Sequence, residues 1–381
     1  MSGEKAVLLL GRRDEPTDGV EDYCHMLREA AARCGLSFEI ARVSWAEKGW
    51  REALAELRKR ASAEWRGRWV LLQFTTLAWS RRGFPLRAPH VLRELRQCGA
   101  RPGIVFHDFA PLPGKGLIGG AREFSQSRAF RQLYALSELA VFTVPVNKIS
   151  WLPLRREKAI FIPVGANCPE PSEGSRRRDA SNRPGNAAKS VAVYSITGGD
   201  KASVEVADLS CALVQASQAV GPIRVLLFGR GSREAEPALR SALAGADVQI
   251  ESRGLLKPKE VSETLYRADV LLFVRGQIST RRGSAIAGIV SGLPVVCYSG
   301  PESCWPITEA GILAVPLRDR EALAAALVNV LTDEKFREAL AERSRQATLR
   351  YFSWTAIGAE YASALDGYPA PQKISAYVSS L

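Results

Sequence analysis

The sequence predicts an α/β fold with two domains, each built on a parallel β-sheet that helices cover on both faces. The first observation is that short apolar runs alternate with amphipathic segments along the whole chain. The second is that these runs are apolar at consecutive positions, which is typical of strands buried on both faces in a parallel sheet. The third is the length of 381 residues, which suits two domains of ordinary size.

The apolar runs and the amphipathic segments define the predicted elements in each half. In the first half, strands are expected over 6–10, 38–43, 69–74, 103–107, 140–144 and 159–163, with helices over 21–34, 50–66 and 91–98. In the second half, strands are expected over 191–195, 223–228, 248–251, 270–274, 294–298 and 312–315. Three helices are then predicted, over 321–331, over 334–348 and from about Ser353.

One segment without large apolar side chains separates the halves. Residues 169–190 are rich in proline, glycine, serine and arginine, which predicts an exposed linker. We therefore expect an N-terminal domain over 1–168 and a C-terminal domain over 191–350. Residues 351–381 are expected to form a last helix and a tail, and one option is that this helix crosses back to the N-terminal domain.

Composition excludes several classes of protein. With 46% hydrophobic and 24% charged residues, the chain is not disordered in bulk. No apolar run approaches the ~20 residues that span a bilayer. The N-terminal stretch MSGEKAVLLLGRRDE lacks a secretory signal, so a cytoplasmic location is predicted, with peripheral attachment to the inner membrane as an option. The net charge of +12 fits phosphate-bearing substrates, an anionic membrane or a merely solvated surface.

Cysteine and histidine usage argues against metal and disulfide sites. The chain has seven scattered cysteines without a CxxC pair, and it has only three histidines. This pattern predicts reduced thiols, no bound metal and no cofactor.

In parallel α/β sheets, ligands bind where loops follow the carboxyl ends of strands. Gly19 precedes a predicted helix whose free N–H groups suit an anion, although a plain turn also explains it. His107 follows a strand and leads into the loop FAPLPGKGLIGG, where it either contacts a substrate or makes a structural hydrogen bond. Lys115 in that loop either reaches a phosphate or faces water.

A stronger signal follows the strand over 270–274. The loop after it is polar and basic, and it contains Ser279, Thr280, Arg281, Arg282, Gly283 and Ser284. With Ser284 as the N-cap of the following helix, the arginines and free N–H groups predict a diphosphate site; the alternative is an exposed basic loop. Lys201, after the strand over 191–195, is expected at the same sheet edge. Gly229 and Gly231 form a glycine-rich turn that is not a dinucleotide fingerprint, and we expect both glycines to contact the donor.

These segments resemble glycosyltransferase family 4. The resemblance covers roughly residues 6–365 and is carried by TDGVEDYCHMLREAA, LLQFTTLAWSRRGFP, VFHDFAP, IFIPVGANCPEP, LLFGRGS, LYRADVLLFVRGQISTRRGSAIAGIVSGLPVV and FSWTAIGAEYASAL. It implies the GT-B fold, in which two Rossmann-like domains face each other across a cleft. It also implies that the N-terminal domain holds the acceptor and the C-terminal domain the nucleotide-sugar. The loop STRRGS is similar to that of a bacterial subgroup.

The resemblance also implies roles for individual residues. Gly19 matches a loop that approaches the donor phosphates, His107 the histidine near the donor sugar, and Lys201 a diphosphate-binding residue. Residues 281–284 match the segment that contacts the sugar and the diphosphate. The sequence departs from the family where a pair of glutamates is expected, because those positions are Ser279 and Ala287. We expect that this branch binds its donor through arginine and backbone contacts, rather than that catalysis has been lost.

The implied activity is retaining transfer of a sugar from a nucleoside-diphosphate donor to a carbohydrate or lipid-linked acceptor, in the synthesis of cell-surface polysaccharide or glycolipid. Negative charge grows on the departing diphosphate, and fixed positive charge stabilises that transition state. Arg281, Arg282, Lys201 and the helix N-terminus at Ser284 are expected to supply it without a metal, while His107 orients the sugar. Closure of the domains around 169–190 is expected to exclude water.

Two other classes and one membrane contact remain alternatives. A non-catalytic GT-B-like binding or scaffold subunit is suggested by the missing glutamate pair. A nucleic-acid-binding protein is disfavoured, because no basic stripe with interleaved aromatic residues is present. The segment SRAFRQLYAL over 127–136 combines Arg128 and Arg131 with apolar residues at helical spacing. It is either a contact with anionic membrane or an ordinary surface helix.

Overall fold

The structure is a computed structural model that describes residues 5–112, 114–170 and 188–367. Most of the predicted linker over 169–190 and the predicted tail beyond 367 lie outside the described residues.

Twelve strands are present in the described residues, and their bounds agree closely with the predicted ones. They are β1 Lys5–Leu10, β2 Ser37–Arg42, β3 Trp69–Phe74, β4 Arg101–Phe106, β5 Leu139–Phe142, β6 Ala159–Phe161, β7 Lys189–Tyr194, β8 Ile223–Phe228, β9 Val248–Gly254, β10 Val270–Gln277, β11 Val295–Ser299 and β12 Ile312–Pro316.

The described α-helices include several that the periodicity did not indicate. They are α1 Gly19–Arg33, α2 Trp45–Lys48, α3 Trp50–Glu64, α4 Ala88–Gln97, α5 Gly116–Leu136, α6 Asp200–Val220, α7 Ser232–Ala242, α8 Pro258–Tyr266, α9 Gly283–Val290, α10 Arg320–Thr332, α11 Glu334–Ala347 and α12 Trp354–Leu365. Short 3₁₀ turns occur at Val146–Lys148 and Ile307–Glu309, and a π-helical turn at Thr348–Phe352 precedes α12.

The chain divides into two compact units. The first comprises Met1–Pro163 and Trp354–Leu381, and the second comprises Val164–Ser353. In the first unit, six strands form one sheet in the order β2-β1-β3-β4-β5-β6, and in the second the order is β12-β11-β10-β7-β8-β9. Every pair of neighbouring strands is parallel. The predicted fold class of two parallel α/β sheets is confirmed.

The central strands form because their side chains are apolar on both faces. Every residue of β3 is buried, and so are the first five residues of β10. Burying a large apolar side chain contributes about 1.5–3 kcal/mol, so helices on both faces stabilise such a strand. A polar side chain is unusual in such a strand, and Gln73 in β3 is a buried polar residue of this kind.

Helix α12 follows the second unit along the chain but packs in the first. Its Gly358 lies so close to α1 that a β-carbon there would be 3.0 Å from the carbonyl carbon of Ala30. The Tyr23 hydroxyl of α1 donates to the Tyr361 hydroxyl of α12 at 2.9 Å. The small residue allows close helix packing, and the hydrogen bond gives each of the two buried hydroxyls a partner.

Helix α5 corrects the predicted loop FAPLPGKGLIGG. The helix begins at Gly116, so its glycine-rich part is helical rather than an open loop. Within the described residues, no helix combines the length and the apolarity needed to cross a bilayer.

Candidate functional site

The second sheet has a topological switch point beside its first strand. Strand β7 lies between β8 and β10, so the chain continues from β7 to β8 on one side and later returns to the other side as β10. The loops that follow β7 and β10 therefore diverge at the carboxyl ends of adjacent strands. In parallel α/β sheets, this is where a crevice for ligands forms.

Two loops pack tightly on the β8 side of this switch point. Ser195 adopts a positive φ of 68°, and its N–H donates to the Phe228 carbonyl at 2.8 Å. The Ile196 N–H donates to the Arg230 carbonyl at 2.9 Å. At Gly231, a β-carbon would lie 2.2 Å from the Ile196 carbonyl oxygen, and at Gly229 it would lie 2.5 Å from the Ser195 hydroxyl. Loop packing therefore accounts for both glycines, and their contact with a donor stays a prediction.

The N-terminal end of α6 borders the same loop. Gly199 is at its N-cap, and no side chain that the structure describes caps the helix there. Lys201, in the first turn, is exposed. The Thr197 N–H donates to the Glu205 carboxylate at 2.7 Å, and Glu205 is buried. The loop after β7 is therefore hydrogen-bonded to the buried carboxylate of Glu205, whereas the side chain of Lys201 lies at the surface.

Two partly buried arginines lie at the carboxyl end of β10. The Nε atoms of Arg275 and Arg282 are buried and have no hydrogen-bond partner in the part of the chain that the structure describes. Burial lowers the pKa of Arg275, and burial together with the charge of Arg281 lowers the pKa of Arg282 to about 10. Both guanidinium groups remain charged at neutral pH, so their unpaired donors favour an anion.

Counted together with the charged groups around them, these two arginines belong to a region with more positive than negative charge. Arg275 is repelled by Arg230 and attracted by Glu205, and Arg282 is repelled by Arg281 and by Arg275 itself. The carboxylates that influence Arg282 are Glu302 and Glu205. We call Arg230, Arg275, Arg281 and Arg282 the arginine cluster. Its four positive charges exceed the two negative charges of Glu205 and Glu302, and an anion of two negative charges would balance the excess.

Arg281 is held differently from Arg282. Its Nε and Nη2 donate to the two carboxylate oxygens of Glu302 at 2.8 and 3.0 Å. The Glu302 N–H donates to the Gln277 side-chain oxygen at 2.9 Å. Burial raises the pKa of Glu302, but the hydrogen bond from Arg281 and the charge of Arg282 bring it below its usual value. The predicted arginine pair is therefore unequal, because one member already has a carboxylate.

Of the other residues of the predicted donor loop, two are buried and two are partly exposed. The side chains of Ser279 and Thr280 are inaccessible, and the Thr280 carbonyl accepts from the Val164 N–H at 3.0 Å. The prediction of Ser284 as N-cap is wrong: Arg282 occupies that position, α9 begins at Gly283, and no side chain caps it. The first N–H groups of α9 therefore lack a side-chain acceptor within the described residues. Ala287 is buried in α9 and supplies no carboxylate.

In the first unit, the helix N-terminus at Gly19 is already capped. The Asp18 carboxylate accepts from the N–H groups of Val20 and Glu21 at 3.1 Å each, and α1 begins at Gly19. The expectation of free N–H groups at this helix is therefore wrong. A carboxylate in this position also disfavours an approaching phosphate, because like charges repel.

His107 follows β4 and is half-buried. Its Nε2 lies 2.9 Å from the Gln73 Oε1, and its ring meets the Tyr23 ring edge-on at 5.2 Å between centroids. Burial lowers the pKa of His107 to about 4, so the imidazole is neutral at physiological pH. A neutral ring suits hydrogen bonding to an uncharged group. Lys115 precedes α5 and is exposed.

The surface of α5 differs from the predicted membrane segment. Within 127–136, Phe130 and Leu133 are fully buried in the core, so the expected apolar face is not available there. Exposed apolar side chains occur instead in the first half of the helix, at Leu117, Ile118 and Phe124, which are 95%, 69% and 71% exposed. Arg128 and Arg131 are exposed as expected.

Several residues of these sites escaped prediction from sequence. Arg275 ends the apolar run VLLFV, and a charge at a strand's carboxyl end is a signal that could have found it. Glu302 and Gln73 lie 21 and 34 residues along the chain from Arg281 and His107, so only the fold brings them together. Glu205 is likewise distant in sequence from Arg275, on which its charge acts. Among the described residues, no three histidine, cysteine, aspartate or glutamate side chains lie close enough to hold a metal.

Comparison with known proteins identifies the fold. No protein-family model matches the sequence, and no curated protein sequence matches it. A glycosyltransferase from Rickettsia africae ESF-5 superposes with a TM-score of 0.67 at 13% identity, covering 96% of this chain and 99% of that one. HepE from Anabaena, in complex with UDP-glucose, superposes with a TM-score of 0.63 at 14% identity, covering 95% and 99%.

A third similar structure is WaaG, described as a glycosyltransferase involved in lipopolysaccharide biosynthesis. Its TM-score is 0.58 at 16% identity, and the match covers 95% of this chain and all of WaaG. The two parallel six-stranded sheets and these similarities show that the chain has the GT-B fold. At such low identity the similarity concerns the fold alone.

Proposed function

We propose that the protein is a retaining glycosyltransferase that moves a sugar from a nucleoside-diphosphate donor to an acceptor hydroxyl. The observation that carries the proposal is the pair of partly buried arginines, Arg275 and Arg282, with unpaired Nε atoms at the switch point of the second sheet. The fold supports the proposal, because solved glycosyltransferases share it.

The proposed chemistry is stabilisation of the leaving group. When the bond between the sugar and the diphosphate breaks, negative charge grows on the departing oxygen while the sugar becomes oxocarbenium-like. Guanidinium groups that are already in place stabilise this charge without reorganising, so they lower the barrier more than they strengthen binding of the donor. Arg275 and Arg282 are proposed for this role, with the uncapped N–H groups of α9 beside them.

The remaining predicted residues take different parts in this proposal. Lys201 is exposed at the start of α6 and would reach the outer phosphate. Arg281 would orient the loop through Glu302 and add charge at longer range. The buried side chains of Ser279 and Thr280 would anchor the loop in the interior of the second unit. Gly283 and Ser284 would offer backbone N–H groups to the phosphates.

The donor would be recognised chiefly through its phosphates. Carboxylates are good acceptors for the paired hydroxyls of a ribose, and the positions where the family resemblance implies them are Ser279 and Ala287. Both residues are fully buried. We therefore expect binding to depend strongly on the diphosphate and on ionic strength, and only weakly on the ribose hydroxyls.

The acceptor is proposed to be a carbohydrate or a lipid-linked carbohydrate at an anionic membrane surface, in the synthesis of cell-surface polysaccharide or glycolipid. The supporting observation is the surface of α5, where Leu117, Ile118 and Phe124 are exposed on a helix that also exposes Arg128 and Arg131. Exposed apolar side chains with neighbouring basic ones are typical of peripheral membrane contacts.

A non-catalytic subunit with the same fold is the second candidate. The absence of carboxylates at Ser279 and Ala287 favours it. Such a subunit would show no turnover, and the buried arginines would then bind a regulatory anion or none.

The test is direct assay of the full chain with UDP-, GDP- and ADP-sugars, with hydrolysis and transfer products detected by mass and nucleotide binding measured by calorimetry. Arg282→Ala and Arg275→Ala should each weaken nucleoside-diphosphate binding by about 10- to 100-fold, since a hydrogen bond to a charged group contributes ~1.5–3 kcal/mol. Arg224→Ala is the matched control, because this exposed arginine lies at the amino end of β8. Full activity in the Arg282 variant would refute the diphosphate assignment, and binding without turnover would favour the non-catalytic subunit.

A further inference from the structure

Gln73 is a buried amide in the middle of an otherwise apolar strand. It lies in β3 and is 1% exposed. A polar side chain in such a position costs free energy unless its donors and acceptors are satisfied. Its oxygen is 2.9 Å from the His107 Nε2, and its nitrogen donates to the Leu71 carbonyl at 3.3 Å.

These two contacts determine the orientation of the Gln73 amide, that is, which of its ends is the oxygen and which the nitrogen. A backbone carbonyl can only accept a hydrogen bond, so the Gln73 group that faces Leu71 is the NH₂ group. The carbonyl oxygen of the amide then faces His107 and can only accept. The hydrogen between them must therefore be carried by the His107 Nε2.

The consequence concerns the other nitrogen of the ring. A neutral imidazole carries one hydrogen on its two nitrogens, so a hydrogen on Nε2 leaves Nδ1 with a free lone pair. The structure shows no hydrogen-bond partner for the Nδ1 of His107 among the described residues, and this atom is not fully buried. Tyr23 supports the ring from one side through an edge-on contact. His107 therefore offers an acceptor, and no donor, to whatever approaches it.

We propose that Gln73 is a positioning residue that holds His107 in the Nε2–H tautomer, so that Nδ1 accepts a hydrogen bond from a substrate hydroxyl. The tautomer follows from contacts within the first unit, whereas the hydroxyl as its partner rests on the proposed function. The assignment also excludes one role, because a ring that only accepts cannot donate to a phosphate oxygen. The low pKa of His107 agrees with this, since the imidazolium that could donate forms only in acid.

The tautomer can be measured without any substrate. In the ¹⁵N-labelled full chain, two-bond proton–nitrogen correlations distinguish a protonated ring nitrogen from one with a lone pair. The chain has only three histidines, so the His107 signals are identified by their loss in His107→Gln. At neutral pH we expect a hydrogen on Nε2 and a lone pair on Nδ1. A hydrogen on Nδ1 in the wild-type protein would overturn the proposal.

Two variants test whether Gln73 is the cause. Gln73→Leu removes the acceptor, and the His107 signals should move towards an average of both tautomers. Gln73→Glu keeps an acceptor at the same place and adds a negative charge, so the Nε2–H tautomer should persist and the pKa of His107 should rise above its wild-type value. Gln126→Leu is the control, because it removes another buried amide of the same unit, one that donates to the Gly83 carbonyl at 2.8 Å. It should leave the His107 signals unchanged.

The outcomes separate this proposal from the proposed function. If Gln73→Leu keeps the wild-type tautomer, or if Gln73→Glu leaves the pKa of His107 where it was, Gln73 is not the positioning residue. Calorimetry with UDP, GDP and ADP on the wild-type protein tests the arginine cluster independently. Nucleotide binding with the wrong tautomer overturns only the role of Gln73. The expected tautomer without nucleotide binding overturns the proposed function, and with it the substrate hydroxyl as the partner of Nδ1, but not the role of Gln73 in setting the tautomer.

Discussion

Arg281 and Glu302 form a two-pronged ion pair, with the Nε and Nη2 atoms 2.8 and 3.0 Å from the two carboxylate oxygens. The side chains are 25% and 15% exposed, so the pair is largely shielded from water. Through this pair, one of two adjacent arginines is held by the protein itself, and its neighbour Arg282 is left with an unpaired Nε. The negative charge of Glu302 also reduces the repulsion inside the arginine cluster.

Removing Glu302 should therefore destabilise the protein. Glu302→Ala should lower the free energy of unfolding by about 1–3 kcal/mol, because Arg281 loses its partner beside other positive charges. A bound nucleoside diphosphate should recover part of the loss, since it supplies negative charge to the same cluster. The measurement is thermal unfolding with and without UDP. Glu342→Ala, which breaks an exposed pair with Arg345, should change stability by less than ~0.5 kcal/mol and serves as the control.

The interlocked loops of the second unit give a second prediction. Gly231→Ala should cost more than a positive φ alone, because the new β-carbon would lie 2.2 Å from the Ile196 carbonyl oxygen. The control is Gly245→Ala, where φ is also positive and, beyond its chain neighbours, no described residue lies within 4 Å of the new β-carbon. We expect the free energy of unfolding to fall by about 1–2 kcal/mol in the control and by a further ~1–3 kcal/mol in Gly231→Ala, measured by denaturant unfolding. Equal costs would show that the loops do not depend on their close packing.

The low pKa of His107 predicts how stability depends on pH. The group has a pKa of about 4 in the folded chain, against ~6.5 in an unfolded one. Between these values the unfolded chain binds more protons, so the contribution of His107 is fully present above pH ~6.5 and is lost as the pH falls towards 4. Between pH 7 and pH 5, the free energy of unfolding measured with urea should fall more for the wild type than for His107→Gln. A parallel loss in both proteins would contradict the shift.

The exposed apolar residues of α5 give a prediction for membranes. Replacing Leu117, Ile118 and Phe124 together by Ser should abolish sedimentation with vesicles that contain anionic lipid, because the apolar contact would be lost. Replacing Arg128 and Arg131 by Glu should weaken binding and remove its dependence on salt. Leu349→Ser is the control, since this leucine is 65% exposed in the second unit. Unchanged binding in the triple variant would rule out this surface.

Much of the fold follows from local patterns. The strands over 69–74 and 223–228 have the predicted bounds, because a run of six residues with only one polar side chain has few alternatives to a buried strand. The sequence does not predict the glycine-rich start of α5, because Gly116, Gly119 and Gly120 are typical of loops. The buried residues of α5 lie mostly in its second half, and the helix continues from there to Gly116 on the N-terminal side. The N-cap at Ser284 was wrong because a serine before a helix is a good cap, but the helix begins at Gly283, two residues earlier than that cap requires.

The arginine cluster was only partly predictable. Arg281 and Arg282 stand side by side in the sequence, and both lie at the predicted sheet edge. Which of the two has a free donor depends on Glu302, and Glu302 reaches Arg281 because β11 lies next to β10 in the sheet. Sequence patterns extend over a few residues, so they do not reveal a partner on another strand.

By itself, the sequence determined the two parallel sheets, the strand ends at which chemistry can occur and the excess of basic residues beside one of them. These properties depend on hydrophobic periodicity and on residue type, which act locally. Tertiary structure alone decided that Arg281 is paired while the Nε atoms of Arg275 and Arg282 are not, and that Gln73 faces His107. Hydrogen bonds between distant residues require strands to be adjacent, and adjacency in a sheet is a property of the whole fold.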